Sequence, residues 1–106
     1  MPKYMVSGSY TVEGLKGVLA EGGSSRVAVV KQLLESSGAT LEMMYFTFGG
    51  DDFVLVADAP DNVTTAALSM MVAATGSTTL NTTVLLTPEE VDAAAKMVIS
   101  YRPPGK

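Results

Sequence analysis

The chain has 106 residues, 47% of them hydrophobic, which is enough apolar material for one core and too little chain for a second domain. Seven Lys and Arg against eleven Asp and Glu leave a net charge of -4, and no basic run is present that could neutralise a phosphate backbone, so nucleic acid is a poor partner. Cys and His are absent, which removes disulfides, thiolate nucleophiles, imidazole bases and the usual zinc and haem ligand sets; no metal or cofactor is implied, and carboxylates, Tyr, Ser, Thr, Lys and Arg are left for any chemistry.

Met1-Pro2-Lys3-Tyr4 opens directly into a strand pattern over 3–10, with Tyr4, Val6, Gly8 and Tyr10 on one face and Met5, Ser7 and Ser9 on the other. Thr11 can cap a short helix holding Leu15, Val18 and Leu19, which Gly22-Gly23 interrupts. A second helical stretch restarts at Ser24 or Ser25, carries Val27, Val30, Leu33 and Leu34, and ends at Gly38 in a left-handed cap. Strands are predicted over 39–48 and 51–58, with Gly49-Gly50 supplying the positive φ angles of a two-residue hairpin turn.

Pro60-Asp61-Asn62 starts the next helix, whose apolar stripe is Val63, Ala66, Ala67, Met70, Met71 and Ala74, and Gly76 ends it. A strand over 77–86 follows. Thr87-Pro88-Glu89-Glu90 reads as a capping box opening a short helix to about Met97, and the Pro-containing run from Tyr101 reads as an extended tail. No secretion signal pattern precedes the first strand and no apolar stretch reaches spanning length, so a cytoplasmic protein without a membrane partner is expected.

The order β-α-β-β-α-β defines an α+β, ferredoxin-like fold: a four-stranded antiparallel sheet with two helices on one face and a short C-terminal helix besides. The other sheet face is left bare, yet the second strand carries Leu41, Met43 and Tyr45 on one side and Met44, Phe46 and Phe48 on the other. The third likewise sets Val54 and Val56 against Phe53, Leu55 and Ala57. Apolar residues on both sides predict that both faces are covered, by a homodimer or higher homo-oligomer packed sheet to sheet, or by the C-terminal segment folding back over its own sheet.

Ser9-Tyr10-Thr11, Glu13-Gly14, Lys16-Gly17, Gly22-Gly23, Arg26, Gly38, Tyr45, Phe48-Gly49, Asp52 and Leu86-Thr87-Pro88-Glu89-Glu90 together resemble the GYD domain family of small bacterial proteins, across nearly the whole chain. The family's Gly-Tyr-Asp element corresponds to Gly49-Gly50-Asp51-Asp52, with Asp51 standing where the tyrosine would be. The resemblance implies similarity to the dimeric α+β barrel proteins, which include cofactor-free monooxygenases, lactone isomerases and ligand-sensing domains.

Adjacent strand residues point to opposite faces, so Asp51 and Asp52 cannot form a close acid pair. Asp52 shares a face with Tyr45, within diagonal reach if the turn has two residues, and a carboxylate beside a phenol in a dry cavity could act as base and hydrogen-bond donor. Alternatively both aspartates bond backbone N–H groups at the hairpin end. Arg26 and Lys16 flank the glycine break and could hold an anionic group, or could be solvated cations. With Tyr10 and Asp51, they are the ligand-binding candidates, while Asp52 and Tyr45 are the catalytic ones. The function expected is a homo-oligomeric binding or accessory module enclosing a small organic metabolite; the alternatives are a cofactor-free isomerase or oxygenase acting on a small carbonyl or phenolic compound, and a structural interaction module.

Overall fold

The computed structural model describes residues 1–106. Its elements run β1 (Lys3–Tyr10), α1 (Val12–Glu21), α2 (Gly23–Ser36), β2 (Thr40–Phe46), β3 (Phe53–Asp58), α3 (Asn62–Ala74), β4 (Thr78–Leu85) and α4 (Pro88–Ala95). The four strands form one antiparallel sheet in the order β2-β3-β1-β4. This α+β arrangement is consistent with a ferredoxin-like fold.

Three of the four helices, α1, α3 and α4, begin on a capping side chain. The Thr11 hydroxyl accepts the Gly14 N–H, the Asp61 carboxylate accepts the Thr64 N–H, and Thr87 and Glu90 form the full reciprocal capping box. Between α1 and α2 the break falls on Gly22, whose φ of +86° is the left-handed region that glycine enters at little cost. Its N–H closes α1 on the Val18 carbonyl, and α2 restarts with no side-chain cap.

The core lies on one face of the sheet. Tyr4, Phe53, Leu55 and Ala57 from the strands are buried with Leu34, Ala39 and Ala59, and Val6, Val30, Leu41, Met44, Leu68 and Leu80 pack around them. Tyr4 also donates its hydroxyl to Asn62 Oδ1 at 2.5 Å, tying the central strand to the first turn of α3.

Three expectations are corrected. The hairpin does not turn on two residues, and neither Gly49 nor Gly50 has positive φ. Instead the Thr47 N–H donates to the Asp52 carbonyl at 2.9 Å and the Thr47 hydroxyl to the Asp51 carbonyl at 2.6 Å, leaving Phe48, Gly49, Gly50 and Asp51 as a wider tip. In β2 a bulge at Glu42 shifts the register between Leu41 and Met43, so these two residues lie on opposite faces. Leu41, Met44 and Phe46 oppose the core-side Ala57, Leu55 and Phe53, whereas Met43 and Tyr45 oppose Val56 and Val54 on the other face. Finally, the apolar stripe of α3 turns away from the sheet. Val63, Ala66, Ala67, Met70, Met71 and Ala74 are exposed, Met70 at 71%, while Thr65, Leu68, Ser69 and Val72 face inward.

The C-terminal segment does not fold back over its own sheet. Residues 96–106 are exposed throughout, Val98 fully, and the molecule measures 57 × 32 × 24 Å. No helix is long and apolar enough to cross a membrane.

Candidate functional site

Between the sheet and the helices lies a chamber of about 90 Å³. Its walls are the core-side residues Val6, Phe53, Leu55 and Leu80 from the sheet, Val30, Leu33 and Leu34 from α2, and Leu68 and Val72 from α3. Eleven of its fourteen lining residues are hydrophobic, and Arg26 is the one charged residue among them; Ser69 and Thr78 supply hydroxyls. A groove of about 230 Å³ adjoins it under α1, lined mainly by polar residues and glycine, including Glu13, Glu21, Gly14, Gly17 and Ser77. Tyr10, Arg26 and Thr78 line both. Taken together the two spaces reach the low end of the roughly 300–1,000 Å³ typical of small-molecule sites.

Tyr10 sits where they meet. Its ring packs on Phe53 at a centroid distance of 5.4 Å, tilted by 39°. Burial pushes the phenol pKa up from its ordinary value; Arg26 opposes that shift, and the nearby carboxylates of Asp52 and Glu21 add to it. The phenol is therefore neutral at physiological pH and available as a hydrogen-bond donor. Opposite it, Arg26 Nη1 contacts Glu21 Oε1 at 3.4 Å across the Gly22 break. This single long contact leaves most of the guanidinium's five donors free.

The other residues singled out in the sequence lie elsewhere. The Asp52 carboxylate accepts the backbone N–H of Tyr10 at 2.9 Å, and Asp51 Oδ1 lies 3.5 Å from the Ser9 hydroxyl. These are the backbone-directed and local roles that aspartates take near turns. Tyr45 is 65% exposed on the sheet face away from the helices, so the structure does not bring Asp52 and Tyr45 together in the chamber. Lys16 is a solvated helix-face cation, 3.6 Å from Glu13. No three acidic side chains come together to hold a metal ion.

Sequence reasoning missed Glu21, Ser69 and Thr78. The spacing of Glu21 and Arg26 across the glycine break was a usable signal for the first. Thr78 follows only from its register opposite Tyr10, which needs the sheet order.

Fold and site thus define a small α+β protein with an apolar chamber behind a Tyr-Arg mouth. The chain belongs to the GYD domain family, whose model matches residues 4–95. No curated protein and no solved structure matches it.

Proposed function

We propose that this GYD domain protein is a homo-oligomeric binding module whose chamber takes the apolar body of a small organic acid and whose mouth holds the acid's carboxylate between Arg26 and the Tyr10 phenol. The observation carrying this reading is the placement of Arg26, the one charged residue lining an otherwise apolar chamber. An anionic group there gains a charge-assisted bond, while a cation would meet the guanidinium's repulsion. Size restricts the body. A cavity of about 150 Å³ admits a benzene ring, so a chamber of about 90 Å³ suits a short branched chain, with anything larger extending into the groove. The homo-oligomer assembles through the sheet face opposite the helices.

The test is a thermal-shift comparison of isobutyrate and benzoate with isobutyramide and benzamide. A ligand at a hundred times its dissociation constant adds about 2.7 kcal/mol of stability, or a rise of roughly 10–20 °C for a domain near this size. The acids are expected to raise Tm, the amides to leave it unchanged, and Arg26→Met to abolish the difference. Equal shifts from acid and amide, or a difference that survives Arg26→Met, would remove the carboxylate from the mouth.

A further inference from the structure

The sheet face away from the helices is built of three cross-strand rows. Met43, Val56, Met5 and Thr83 form one; Tyr45, Val54, Ser7 and Asn81 the next; Thr40, Asp58, Lys3 and Leu85 the third. In the first two rows the apolar residues belong to β2, β3 and β1, and the β4 positions are polar. The apolar half is therefore a patch against the β2 edge. It is bordered by acid. Lys3 Nζ contacts both Glu42 at 2.7 Å and Asp58 at 3.0 Å, one cation shared between two carboxylates, and Asp51 lies at the hairpin end.

Residues 96–106 have the complementary character. Lys96, Arg102 and Lys106 are three of the chain's seven cations, none of its eleven acidic groups lies in this segment, and between the first two cations runs Met97-Val98-Ile99-Ser100-Tyr101. Val98 and Ile99 are β-branched, suited to an extended conformation, and Pro103-Pro104 ends the run. Val98, Ile99 and Tyr101 are exposed in the chain that carries them, so nothing in their own copy covers them. Six extended residues reach about 20 Å, and three strands at about 4.8 Å spacing set the patch across roughly 10 Å. The arm is long enough to cross it.

We infer that the arm formed by residues 96–106 docks on a second copy of this chain, with Val98, Ile99 and Tyr101 seated on the partner's apolar half-face along β2 and the basic residues set against the acidic margin at Glu42 and Asp51. Two copies exchange arms symmetrically, as a closed dimer requires. This inference rests on the homo-oligomer included in the proposed function and assigns the segment that holds it together.

The absence of native cysteine makes cross-linking a clean test. Ile99→Cys and Tyr45→Cys chains, mixed in equal amounts and oxidised, are expected to form a disulfide-linked heterodimer; a chain carrying both substitutions is expected to link between copies. Sedimentation of Val98→Asp/Ile99→Asp is expected to show dimer dissociation strengthened by at least about tenfold, with an unchanged circular dichroism spectrum because both positions are exposed. A double-cysteine chain that links only within itself would overturn the exchange. Dimerisation lost in Val54→Lys but untouched by the arm variant would overturn the arm's role while leaving the homo-oligomer standing, and a monomer at all concentrations would overturn both.

Discussion

The Asp52 carboxylate accepts the backbone N–H of Tyr10 at 2.9 Å and so ends the pairing of β1 with β3. Two residues earlier Gly8 still pairs with Phe53, and its carbonyl accepts the Asp52 N–H at 2.8 Å, one residue out of the ladder's register. A further ladder bond would occupy the Tyr10 donor; the side chain takes it instead, holding β1 where the Tyr10 ring meets Phe53 and both cavities. Asp52→Asn keeps an acceptor oxygen and is expected to melt close to the parent. Asp52→Ala leaves a half-buried donor unpaired, at a cost of about 1 kcal/mol and a Tm lower by roughly 4–8 °C. Equal melting of the Ala and Asn variants would show that this bond does not hold the strand.

Glu21 competes with any ligand carboxylate for Arg26. Its contact is long and single, so removing its charge releases the guanidinium at small structural cost. Glu21→Gln is expected to tighten isobutyrate binding by about twofold to fivefold, the range of one partly screened charge pair. Titration calorimetry reads this directly, and weaker binding by Glu21→Gln would mean that Glu21 orients Arg26 rather than competing for it.

Tyr10→Phe keeps the apolar lining and the packing on Phe53 but removes the donor. Binding is expected to weaken by about 0.5–1.5 kcal/mol. Because burial raises the phenol pKa above its usual value of 10.0, the group stays protonated across the neutral range, and its contribution should be constant from about pH 6 to 9. A loss of affinity in that range that disappears in Tyr10→Phe would contradict a neutral phenol donor.

Much of the fold was legible because the signals were local. Element order, the Thr11, Asp61 and Thr87 caps and the break at Gly22 depend on residues within one turn of each other. What was not legible depended on long-range register. A bulge at Glu42 moves Leu41 to the face opposite Met43, and strict alternation cannot foresee it. The α3 stripe has ideal helical spacing, but periodicity identifies an apolar face without saying what it packs against, and the sheet is met by Thr65, Leu68 and Val72 instead. Candidate-site reasoning found Tyr10 and Arg26 as possible ligand contacts. It set Asp52 and Tyr45 together from hairpin parity against the alternative that the aspartates bond backbone N–H groups at the hairpin end, and the Asp52 carboxylate takes that second role, accepting the Tyr10 N–H of β1.

Two glycines should respond in opposite directions to the same substitution. A Cβ at Gly8 would lie 2.2 Å from the Thr79 carbonyl oxygen and 2.9 Å from the Phe53 ring, so Gly8→Ala must push β4 or the core aside, at a cost of about 1–3 kcal/mol or more. Gly17 is in the interior of α1, where an added methyl would meet nothing within 4 Å, and Gly17→Ala should stabilise by about 0.5–1 kcal/mol through helix propensity. Urea unfolding of both variants checks the pair, and a neutral Gly8→Ala would contradict the close β1–β4 approach.

Acid should loosen α3 first at its N-cap. The Thr64 backbone N–H donates to Asp61 Oδ1 at 2.8 Å, and this hydrogen bond, followed by one from the Thr64 side chain and opposed by slight desolvation, holds the Asp61 pKa below its ordinary value. A carboxyl whose folded pKa lies below its unfolded value contributes stability that is fully present above the unfolded pKa, about 3.9, and is lost as pH falls through the folded pKa. Asn also caps helices well but does not titrate. The Tm of the parent minus that of Asp61→Asn should therefore be constant from about pH 7 to 5 and decline below about pH 4. Melting curves taken down to about pH 2 that keep a constant offset would show that the cap carries no linked proton.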